Sequence, residues 1–394
     1  MSFYGGGAYR RSARVAAALA SALVLLVTGY GWHTYRDLTK GLTRSGALGD
    51  SSAPPPGQPM NILVMGLDSR LDQDGNPLPR DVLAQLHAGD SSDGGYNTNV
   101  LMVLHVPGDG SPAQAVSVPR DDYVRLPGSP SGETHAKIKE GYGLAKADAE
   151  RKLRAKGVTD RPTLERQGRE AGRRQAIATV RNFLNIPVDH FVEVTLVGFY
   201  DLAQALGSVT VCLAGPTQDS YSGAHFKGGH QRLNAAQALA FVRQRRDYVH
   251  PELNFTDLDR ARRQQAFLAS AAYQLKSTGT FADPTRLAAL IDVVKRDVVI
   301  DGGFDPLDFV VRNSNLAAGG VRFTTLPVKS FAKVNGQAVN MVDPDQVRAV
   351  VRSLFNPDDA PGPTANPGTA AEPAGPPPAV PASSLRSEGI PCVK

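Results

Sequence analysis

Short apolar runs alternate in the middle of the chain with segments in which apolar residues recur every three or four positions. Continuous apolar strands with helices between them are typical of a sheet that is covered on both faces. The pattern therefore predicts an α/β fold, a three-layer α/β/α sandwich, over residues 58–356. The predicted strands are 61–65, 100–106, 113–118, 190–195, 209–213 and 321–326.

The segment 165–184 is predicted to be a long helix. Glu165 and Arg169 lie four residues apart in it, and so do Glu170 and Arg174. Such pairs usually line a solvent-exposed helix face, so these arginines are expected on the surface.

A second long helix is expected to begin near Thr256. Thr256 and Asp259 have the three-residue spacing of a capping box, which marks the N-terminal end of a helix. The apolar residues that follow predict one buried stripe. Its members are Leu258, Ala261, Leu268, Ala272 and Leu275.

An apolar run at 15–32 follows Arg10, Arg11 and Arg14. About 18 helical residues span a hydrocarbon layer of about 30 Å, and arginines that flank such a run stay in the cytoplasm. The run therefore predicts a transmembrane helix, with residues 1–14 inside the cell. The alternative is a cleaved signal peptide, but no small-x-small cleavage site follows the run, which favours an uncleaved anchor.

Polar and proline-rich segments flank the predicted domain. Residues 33–57 are polar and then proline-rich, which is typical of a linker. Residues 357–394 are dominated by Pro, Ala and Gly, so a disordered tail is predicted there. The chain is therefore expected to be a single-pass cell-membrane protein whose domain at 58–356 lies outside the cytoplasm.

Charge and cysteine content exclude several classes of protein. The formal net charge of +5 over 394 residues is a modest excess that does not indicate nucleic-acid binding. Two cysteines are too few for a disulfide scaffold or a Cys-built metal site. In an exported chain, Cys212 and Cys392 are expected to form one disulfide that ties the tail to the domain. The alternative is a buried Cys212 and a free Cys392.

The start of the second helix carries a candidate anion site. Arg260, Arg263 and Gln264 lie at i, i+3 and i+4, so they are expected to share one helix face. The N-terminal end of a helix carries partial positive charge, and its free N–H groups favour anions. Two guanidinium groups and an amide at this place predict a phosphate or pyrophosphate site.

Arg243 and Arg245 lie just upstream of that helix. Residues two apart share one side of an extended segment, so a helix that passes into extended chain near 242 would direct both arginines to one place. The planar guanidinium group matches phosphate oxygens. The alternative is that the arginines pair on the surface with Asp247, Asp257 and Asp259.

A further group of polar residues is expected at the carboxyl ends of strands, where α/β sheets bind ligands. Asp68 follows the first predicted strand, and Arg120 and Asp121 follow the third. Asn99 precedes the second strand, so it can join Asp68 only if that strand is antiparallel to the first, which makes the sheet mixed. Two oxygen ligands with waters and a diphosphate are a common Mg²⁺ site. The alternative for Asp68 is a turn-capping aspartate.

Five ordered motifs together resemble the LytR–CpsA–Psr family of cell-wall phosphotransferases. The resemblance extends from about residue 61 to about residue 270. The insert near 74–96, the segment 141–168 and the tail ending in Gly-Ile-Pro-Cys resemble the actinobacterial branch. The motifs are 61–68 (NILVMGLD), 117–122 (SVPRDD), 137–139 (KIK), 233–245 (LNAAQALAFVRQR) and 257–265 (DLDRARRQQ).

The resemblance implies an enzyme that transfers a glycopolymer phosphate from a polyprenyl-pyrophosphate lipid carrier to a peptidoglycan hydroxyl. It implies that Asp68 is a catalytic Mg²⁺ ligand, and that Asp121 orients Arg120 or acts as a base. It also implies an apolar pocket between sheet and helices for the lipid tail. The residues implied to hold the pyrophosphate are Arg120, Arg243, Arg245, Arg260 and Gln264, with Arg263 in support.

Two positions depart from the family pattern. The family's Arg-Ser-Asp-Thr element appears as Asn-Thr-Asn-Val, so the second metal ligand is the neutral Asn99, which should weaken Mg²⁺ binding. Lys139 stands where the family usually has asparagine. Asn99 keeps one alternative open, a non-catalytic receptor or regulator that binds the lipid-linked precursor. A pyrophosphatase is a further alternative.

Overall fold

The computed structural model describes residues 36, 41–49, 54–55, 57–73, 75–90, 95–277, 283–313, 320–356, 385–386 and 390–394. Nearly all of these residues belong to one compact unit, Thr43–Lys394. The predicted transmembrane helix at 15–32 and most of the predicted tail lie outside the described residues. Within the described ranges, no helix combines the length and the apolar character that a bilayer crossing requires.

Strands and helices alternate along this unit. The strands are β1 Thr43–Ser45, β2 Met60–Leu67, β3 Thr98–Val106, β4 Ala113–Ser117, β5 Tyr123–Arg125, β6 His135–Lys137, β7 His190–Thr195, β8 Val209–Leu213, β9 Thr217–Asp219, β10 Ala224–Phe226, β11 Gly229–Leu233, β12 Val298–Asp301, β13 Val321–Thr325, β14 Ser330–Val334, β15 Gln337–Met341, β16 Leu385–Arg386 and β17 Cys392–Val393. The helices are α1 Arg80–Gln85, α2 Gly141–Ala155, α3 Arg161–Leu184, α4 Leu196–Leu206, α5 Ala235–Arg243, α6 Asp257–Ser277, α7 Pro284–Asp297, α8 Pro306–Arg312 and α9 Pro344–Phe355. Short 3₁₀ turns lie at Pro130–Gly132, Ile138–Glu140 and Pro251–Leu253.

Eight of the described strands build one large sheet, in the order β1-β12-β7-β2-β3-β4-β13-β16. β2 is parallel to β7 and antiparallel to β3, while β4 is antiparallel to β3 and parallel to β13. The predicted mixed sheet, with its second strand antiparallel to its first, is confirmed. β1 corrects the sequence analysis, because Thr43–Ser45 were assigned to the linker but pair with β12.

Helices pack on both faces of this sheet. On one face, Met65 of β2 packs with Ile177 of α3 and Val347 of α9. On the other face, Met102 of β3 packs with Ala269 of α6. Both faces are therefore buried, which explains why the strands are continuous apolar runs.

Helix α6 lies between the large sheet and a small sheet of order β11-β8-β17. It begins at Asp257, as the capping box predicts, and the Thr256 N–H donates to Asp259 Oδ2 over 2.9 Å. The predicted single stripe is wrong, because the helix is packed on two sides. Phe267 is buried in the cluster that contains Val211 of β8, while Leu268 is 39% exposed.

Helix α3 also differs from its prediction, since several of its charged residues are buried. Glu165, Arg169 and Arg173 are each no more than 6% exposed. Arg173 donates twice to Glu193 of β7, over 3.0 and 2.9 Å, and Arg169 donates to Glu165 over 2.6 Å. Buried charges need such partners, so these arginines stabilise the interior of the unit and do not form a solvated face.

The last residues of the chain are held against the domain. Cys392 and Cys212 form a disulfide, and β17 pairs in parallel with β8. The Lys394 carbonyl accepts from Arg263 Nε over 2.7 Å. The expectation of a disordered tail therefore does not hold for residues 390–394, because the disulfide and the strand pairing fix them. β16 also pairs with β13.

Candidate active site

Asp68 and Asn99 meet because of an irregularity where β2 pairs with β3. Gly66 is opposite Val100 and Leu67 is opposite Thr98, so Asn99 is an extra residue in β3. A Cβ atom on Gly66 would lie only 2.8 Å from the Val100 side chain, so glycine permits the close approach of the two strands. A bulge of this kind redirects a side chain. Here it directs Asn99 to the end of β2, where Asp68 begins the following loop.

The carboxylate of Asp68 accepts from two side chains. Asn99 Nδ2 donates to Asp68 Oδ2 over 2.8 Å, and Arg70 Nη1 forms an ion pair with Asp68 Oδ1. Arg70 is itself held by the Ala88 carbonyl at 3.0 Å from Nε. Asp68 thus binds side chains of β3 and of the loop after β2, which does not fit the alternative of a turn-capping aspartate.

Asn99 connects Asp68 to the arginine cluster, which consists of Arg120, Arg245 and Arg260. Its side-chain oxygen accepts from Arg120 Nη1 over 2.5 Å, and its backbone carbonyl accepts from Arg260 Nη2 over 3.2 Å. Arg120 follows β4 and is 6% exposed. The carboxyl ends of β2 and β4 and the start of α6 therefore bring Asp68, Arg120 and Arg260 together, as the sequence analysis expected.

Asp257 is the shared partner of the arginines and was not among the predicted site residues. Its carboxylate lies 3.1 Å from Arg120 Nε, 3.4 Å from Arg245 Nε and 3.2 Å from Arg260 Nη2. Asp257 was predicted only as an alternative surface partner of the arginines. Its place at the first turn of α6, three residues before Arg260, is the signal that identifies it.

Arg243 and Gln264 lie on the side of the cluster nearer to α1. Helix α5 begins with a capping box at Asn234 and ends at Arg243, after which the chain is extended, as predicted. Arg243 Nη1 donates to the Leu86 carbonyl over 2.6 Å, and Gln264 Nε2 donates to the Val242 carbonyl over 3.2 Å. The charge of Asp68 acts on Arg243, although burial dominates and lowers the pKa of Arg243.

Arg263 is not part of this cluster, contrary to the prediction. Its side chain is fully buried and donates to Gln244 Oε1 over 2.7 Å and to Thr217 Oγ1 over 3.0 Å. The guanidinium lies 4.9 Å from the Phe241 ring and 4.8 Å from the Phe255 ring. Burial lowers the pKa of Arg263 to about 9. Arg263 therefore fixes the extended segment after α5 against α6.

Asp121 is held by a lysine that the sequence analysis did not count as a site residue. Lys139 Nζ donates to Asp121 Oδ1 over 2.6 Å, and Lys137 Nζ lies 3.9 Å from the same oxygen. Arg120 Nε lies 3.6 Å from Asp121 Oδ2. Burial raises the pKa of Asp121, but Arg120 and Lys139 outweigh it, so the net pKa is lowered and the carboxylate stays ionised.

The cluster has a surplus of positive charge and of hydrogen-bond donors. Burial lowers the pKa of Arg260 to about 10, with Arg120 and Arg245 acting in the same direction and Asp257 opposing them. Within the described part of the chain, Arg120 Nη2 and Arg260 Nε are buried without a hydrogen-bond partner. Unsatisfied buried donors are costly, so a bound anion would stabilise this arrangement.

Two cavities, of about 540 and 420 Å³, surround the start of β2 and the end of β3. Their walls include Pro59 and Phe355 in one case, and Met60 and Phe309 in the other. They lie at the end of these strands opposite to Asp68. Neither of them is the apolar pocket for a lipid tail that the family resemblance implies.

Metal ligands in the site are few. Among the described residues, no group of three or more His, Cys, Asp or Glu side chains is placed to hold a metal ion. Asp68 and Asn99 do converge, and they would supply one carboxylate and one amide oxygen. Mg²⁺ often takes one or two protein ligands and obtains the rest from water and substrate phosphates, so this donor set fits Mg²⁺ only with such help.

The fold and the site define a mixed α/β protein with an arginine cluster at the carboxyl ends of its strands β2 and β4. A family model described as the LytR_cpsA_psr family matches residues 39–356, and the chain belongs to this family. The cell wall biosynthesis protein LcpA of Corynebacterium glutamicum is 39% identical over 342 residues, which are 85% of this chain and 64% of LcpA. The chain therefore spans less than two thirds of the length of that relative.

More distant proteins have a similar sequence or fold. The polyisoprenyl-teichoic acid–peptidoglycan teichoic acid transferase TagU of Bacillus cereus is 26% identical over 248 residues, 63% of each chain. The solved structure of TagT bound to LI-WTA has a TM-score of 0.53 at 18% identity, with 80% of this chain and 98% of that chain covered. At this identity the likeness supports the fold, which is that of a large mixed sheet with helices.

Proposed function

We propose that this protein transfers a glycopolymer phosphate from a polyprenyl-pyrophosphate lipid to peptidoglycan during cell-wall assembly. The observation that carries the proposal is the convergence of Arg120, Arg245 and Arg260 on Asp257, with buried donors left over for an anion. Family membership and the names of LcpA and TagU support the substrate class.

The arginines supply what phosphoryl transfer requires. Catalysis of this reaction consists mainly of positioning the phosphoryl group and neutralising the charge that spreads over its oxygens. Arg120 and Arg260 are held by Asp257 and by Asn99, so they are oriented before the substrate binds. Arg243 and Gln264 approach from α5 and α6 and would bind the other phosphate.

Asp121 is better suited to positioning than to proton abstraction. Its lowered pKa makes it a weak base, while its contacts with Lys139 and Arg120 fix both cations at the edge of the site. A general base works best with a pKa near the working pH. We therefore assign Asp121 the role of orienting Arg120 and Lys139.

Mg²⁺ is part of the proposal, with Asp68 and Asn99 as the residues that would hold it beside the pyrophosphate. When bound, the ion would neutralise charge on the phosphate oxygens. The remaining work falls to the chain itself, since its arginines bind the phosphates and its carboxylates hold the arginines in place.

We place the domain on the outer side of the cell membrane, where its lipid carrier and peptidoglycan would be its partners. The apolar run 15–32 would be the membrane anchor, with residues 1–14 inside the cell. The Cys212–Cys392 disulfide supports an oxidising compartment. Cysteine accessibility to a membrane-impermeant reagent, at positions introduced on either side of 15–32, tests this orientation.

The activity test uses the full chain with a polyprenyl-pyrophosphate glycan and peptidoglycan. Arg245→Ala is expected to lower the rate of transfer roughly 100-fold, because a preorganised donor to the phosphates is lost. Arg174→Ala is the matched control, since Arg174 is 55% exposed on α3 and its ion pair with Glu170 is loose, at 3.9 Å. Absence of transfer by the wild type, or equal effects of the two substitutions, would refute the proposal.

Asn99 favours one second candidate, a receptor that binds the lipid-linked precursor without turnover, because it replaces a second carboxylate. A receptor would release no polyprenyl phosphate from the pyrophosphate substrate, whereas the transferase would. A pyrophosphatase would also release polyprenyl phosphate, but it would transfer the glycan phosphate to water. Isotope-labelled water in the same reaction separates hydrolysis from transfer to a sugar.

A further inference from the structure

Asn99 has one orientation that satisfies both of its neighbours. Its Nδ2 group donates to Asp68 and its Oδ1 atom accepts from Arg120. The opposite orientation would place the amide oxygen against a carboxylate and the amide nitrogen against a guanidinium, which are two repulsive contacts. The amide oxygen therefore faces Arg120 in the free site.

In the free site, Arg120 is held at that oxygen. Its Nε atom is 3.1 Å from Asp257, and the side chain is 6% exposed. Asp68, the carboxylate on the other side of Asn99, is also occupied, because Arg70 pairs with one oxygen and Asn99 donates to the other. In the free site, the two oxygen donors that converge are thus both already engaged by protein groups.

The charge around these donors opposes a divalent cation. Arg70, Arg120 and Arg260 all contact Asp68 or Asn99, while the nearby carboxylate of Asp257 is already paired with Arg120 and Arg260. A pyrophosphate carries several negative charges and would attract the same guanidinium groups. It would also bring oxygen ligands of its own, which Mg²⁺ prefers.

We infer that Asn99 weakens metal binding to the free site, so that a divalent cation binds more tightly once the pyrophosphate is present. This inference rests on the proposed function, because it requires a pyrophosphate at the arginine cluster. The cation and the diphosphate then bind cooperatively, and by linkage each raises the affinity of the site for the other by the same factor. A carboxylate at position 99 would remove the donor to Asp68 and give the free site two adjacent carboxylates.

The first measurement is a titration of the detergent-solubilised full chain with Mn²⁺, followed by electron paramagnetic resonance, without diphosphonate. Asn99→Asp is expected to bind Mn²⁺ about tenfold more tightly than the wild type. Asn97→Asp is the matched control, because it adds the same charge two residues away, in the loop before β3. An equal gain in Asn97→Asp, or no gain in Asn99→Asp, would overturn the inference.

The second measurement needs no variant. The probe is methylenediphosphonate, an analogue of pyrophosphate that cannot be hydrolysed. It is titrated calorimetrically into the wild type, once with Mg²⁺ and once with a chelator. The heats are corrected for the complex that Mg²⁺ and the diphosphonate form without protein. We expect binding in both conditions, about tenfold tighter with Mg²⁺. Equal affinity in the two conditions would overturn the inference and leave the proposed function standing. Binding in neither condition would overturn both.

Discussion

At the scale of single residues, Asp257 decides how the arginines of the site are arranged. Three guanidinium groups lie within 3.4 Å of its carboxylate, from Arg120, Arg245 and Arg260. The arginines come from three different segments, and without a shared anion they would repel one another. Asp257 therefore holds them close together, and for the proposed phosphate ligand this would reduce the reorganisation that binding requires.

Arg260 and Arg263 are predicted to have separable roles, although they are one turn apart on α6. Arg260→Met should retain the stability of the domain and lose most of its diphosphonate affinity, because Arg260 belongs to the cluster at Asp257. Arg263→Met should lower the free energy of unfolding by about 3 kcal/mol, because it leaves buried acceptors such as Gln244 Oε1 without a donor. Thermal denaturation and calorimetric titration of both variants measure the two effects. Loss of affinity with full stability in Arg263→Met would contradict this assignment.

Helical spacing alone does not separate these two arginines. Relative to residue i, residue i+3 is about 60° to one side and residue i+4 is about 40° to the other. Gln264 and Arg263 therefore leave the helix in different directions, and Arg263 turns towards the segment after α5. Its partners there, Gln244 and Thr217, come from distant parts of the chain. The place of Arg260 in the cluster could thus be predicted from local spacing, whereas the role of Arg263 depends on tertiary contacts.

At the scale of elements, helix α3 fixes the position of the loop that follows Asp68. Arg169 Nη2 donates to the Asp72 carbonyl over 2.7 Å, while Arg169 Nε donates to Glu165. Pairs four residues apart predict a surface helix, but α2 and the loop cover this part of α3. The helix could therefore be predicted from the sequence, but its burial could not. The segments that cover it, α2 and the loop, carry no hydrophobic pattern that would reveal the contact.

Arg169→Met is predicted to destabilise the domain by about 3 kcal/mol, because it removes a partner of the buried Glu165 and frees the Asp72 carbonyl. Amide hydrogen exchange should become faster at residues 69–73. Arg174→Ala, on the exposed side of the same helix, should change the stability by less than about 0.5 kcal/mol. Unchanged exchange at 69–73 in Arg169→Met would show that Arg169 does not hold the loop.

The end of helix α7 should give the domain a stability that depends on pH. Burial raises the pKa of Asp297 to about 6, Asp201 acts in the same direction and Arg296 opposes it. Asp297 is the last residue of α7, where the helix dipole also disfavours a negative charge. Because the folded state binds this proton more tightly than the unfolded state, this group makes stability fall as the pH rises from about 4 to about 6, with no further change above that.

Asp297→Asn should remove that part of the pH dependence and make the domain more stable than the wild type at pH 7. Urea denaturation at several pH values between 4 and 7 measures the effect. The two curves should approach each other as the pH falls towards 4, because the carboxyl group becomes protonated in the folded state and then in the unfolded state. A variant that is less stable than the wild type at pH 7 would mean that the ion pair with Arg296, at 3.0 Å, outweighs the cost of burial.

At the scale of the whole molecule, the sequence predicts the long central strands better than the short strands at the sheet edges. The central strands β2, β3 and β4 are long apolar runs, so their burial could be inferred directly. The short strands β1 and β17 carry no such pattern. They belong to the sheets because β12 and β8 offer free edges, and that is a property of the folded domain.

The disulfide between Cys212 and Cys392 is predicted to contribute much of the stability of the folded unit. It closes a loop over a sequence separation of 180 residues, for which the loss of chain entropy in the unfolded state amounts to about 5 kcal/mol. Native strain usually reduces such a value, so Cys392→Ser should lower the free energy of unfolding by about 2–5 kcal/mol. Reductant should lower the melting temperature of the wild type and leave a Cys212→Ser, Cys392→Ser variant unaffected.

Loss of the disulfide should also loosen residues 390–394, including the hydrogen bond from Arg263 to the Lys394 carbonyl. Amide hydrogen exchange should therefore become faster at these residues and then along the adjoining strand β8. An unchanged melting temperature in Cys392→Ser would show that pairing of β17 with β8 holds this segment without the covalent link.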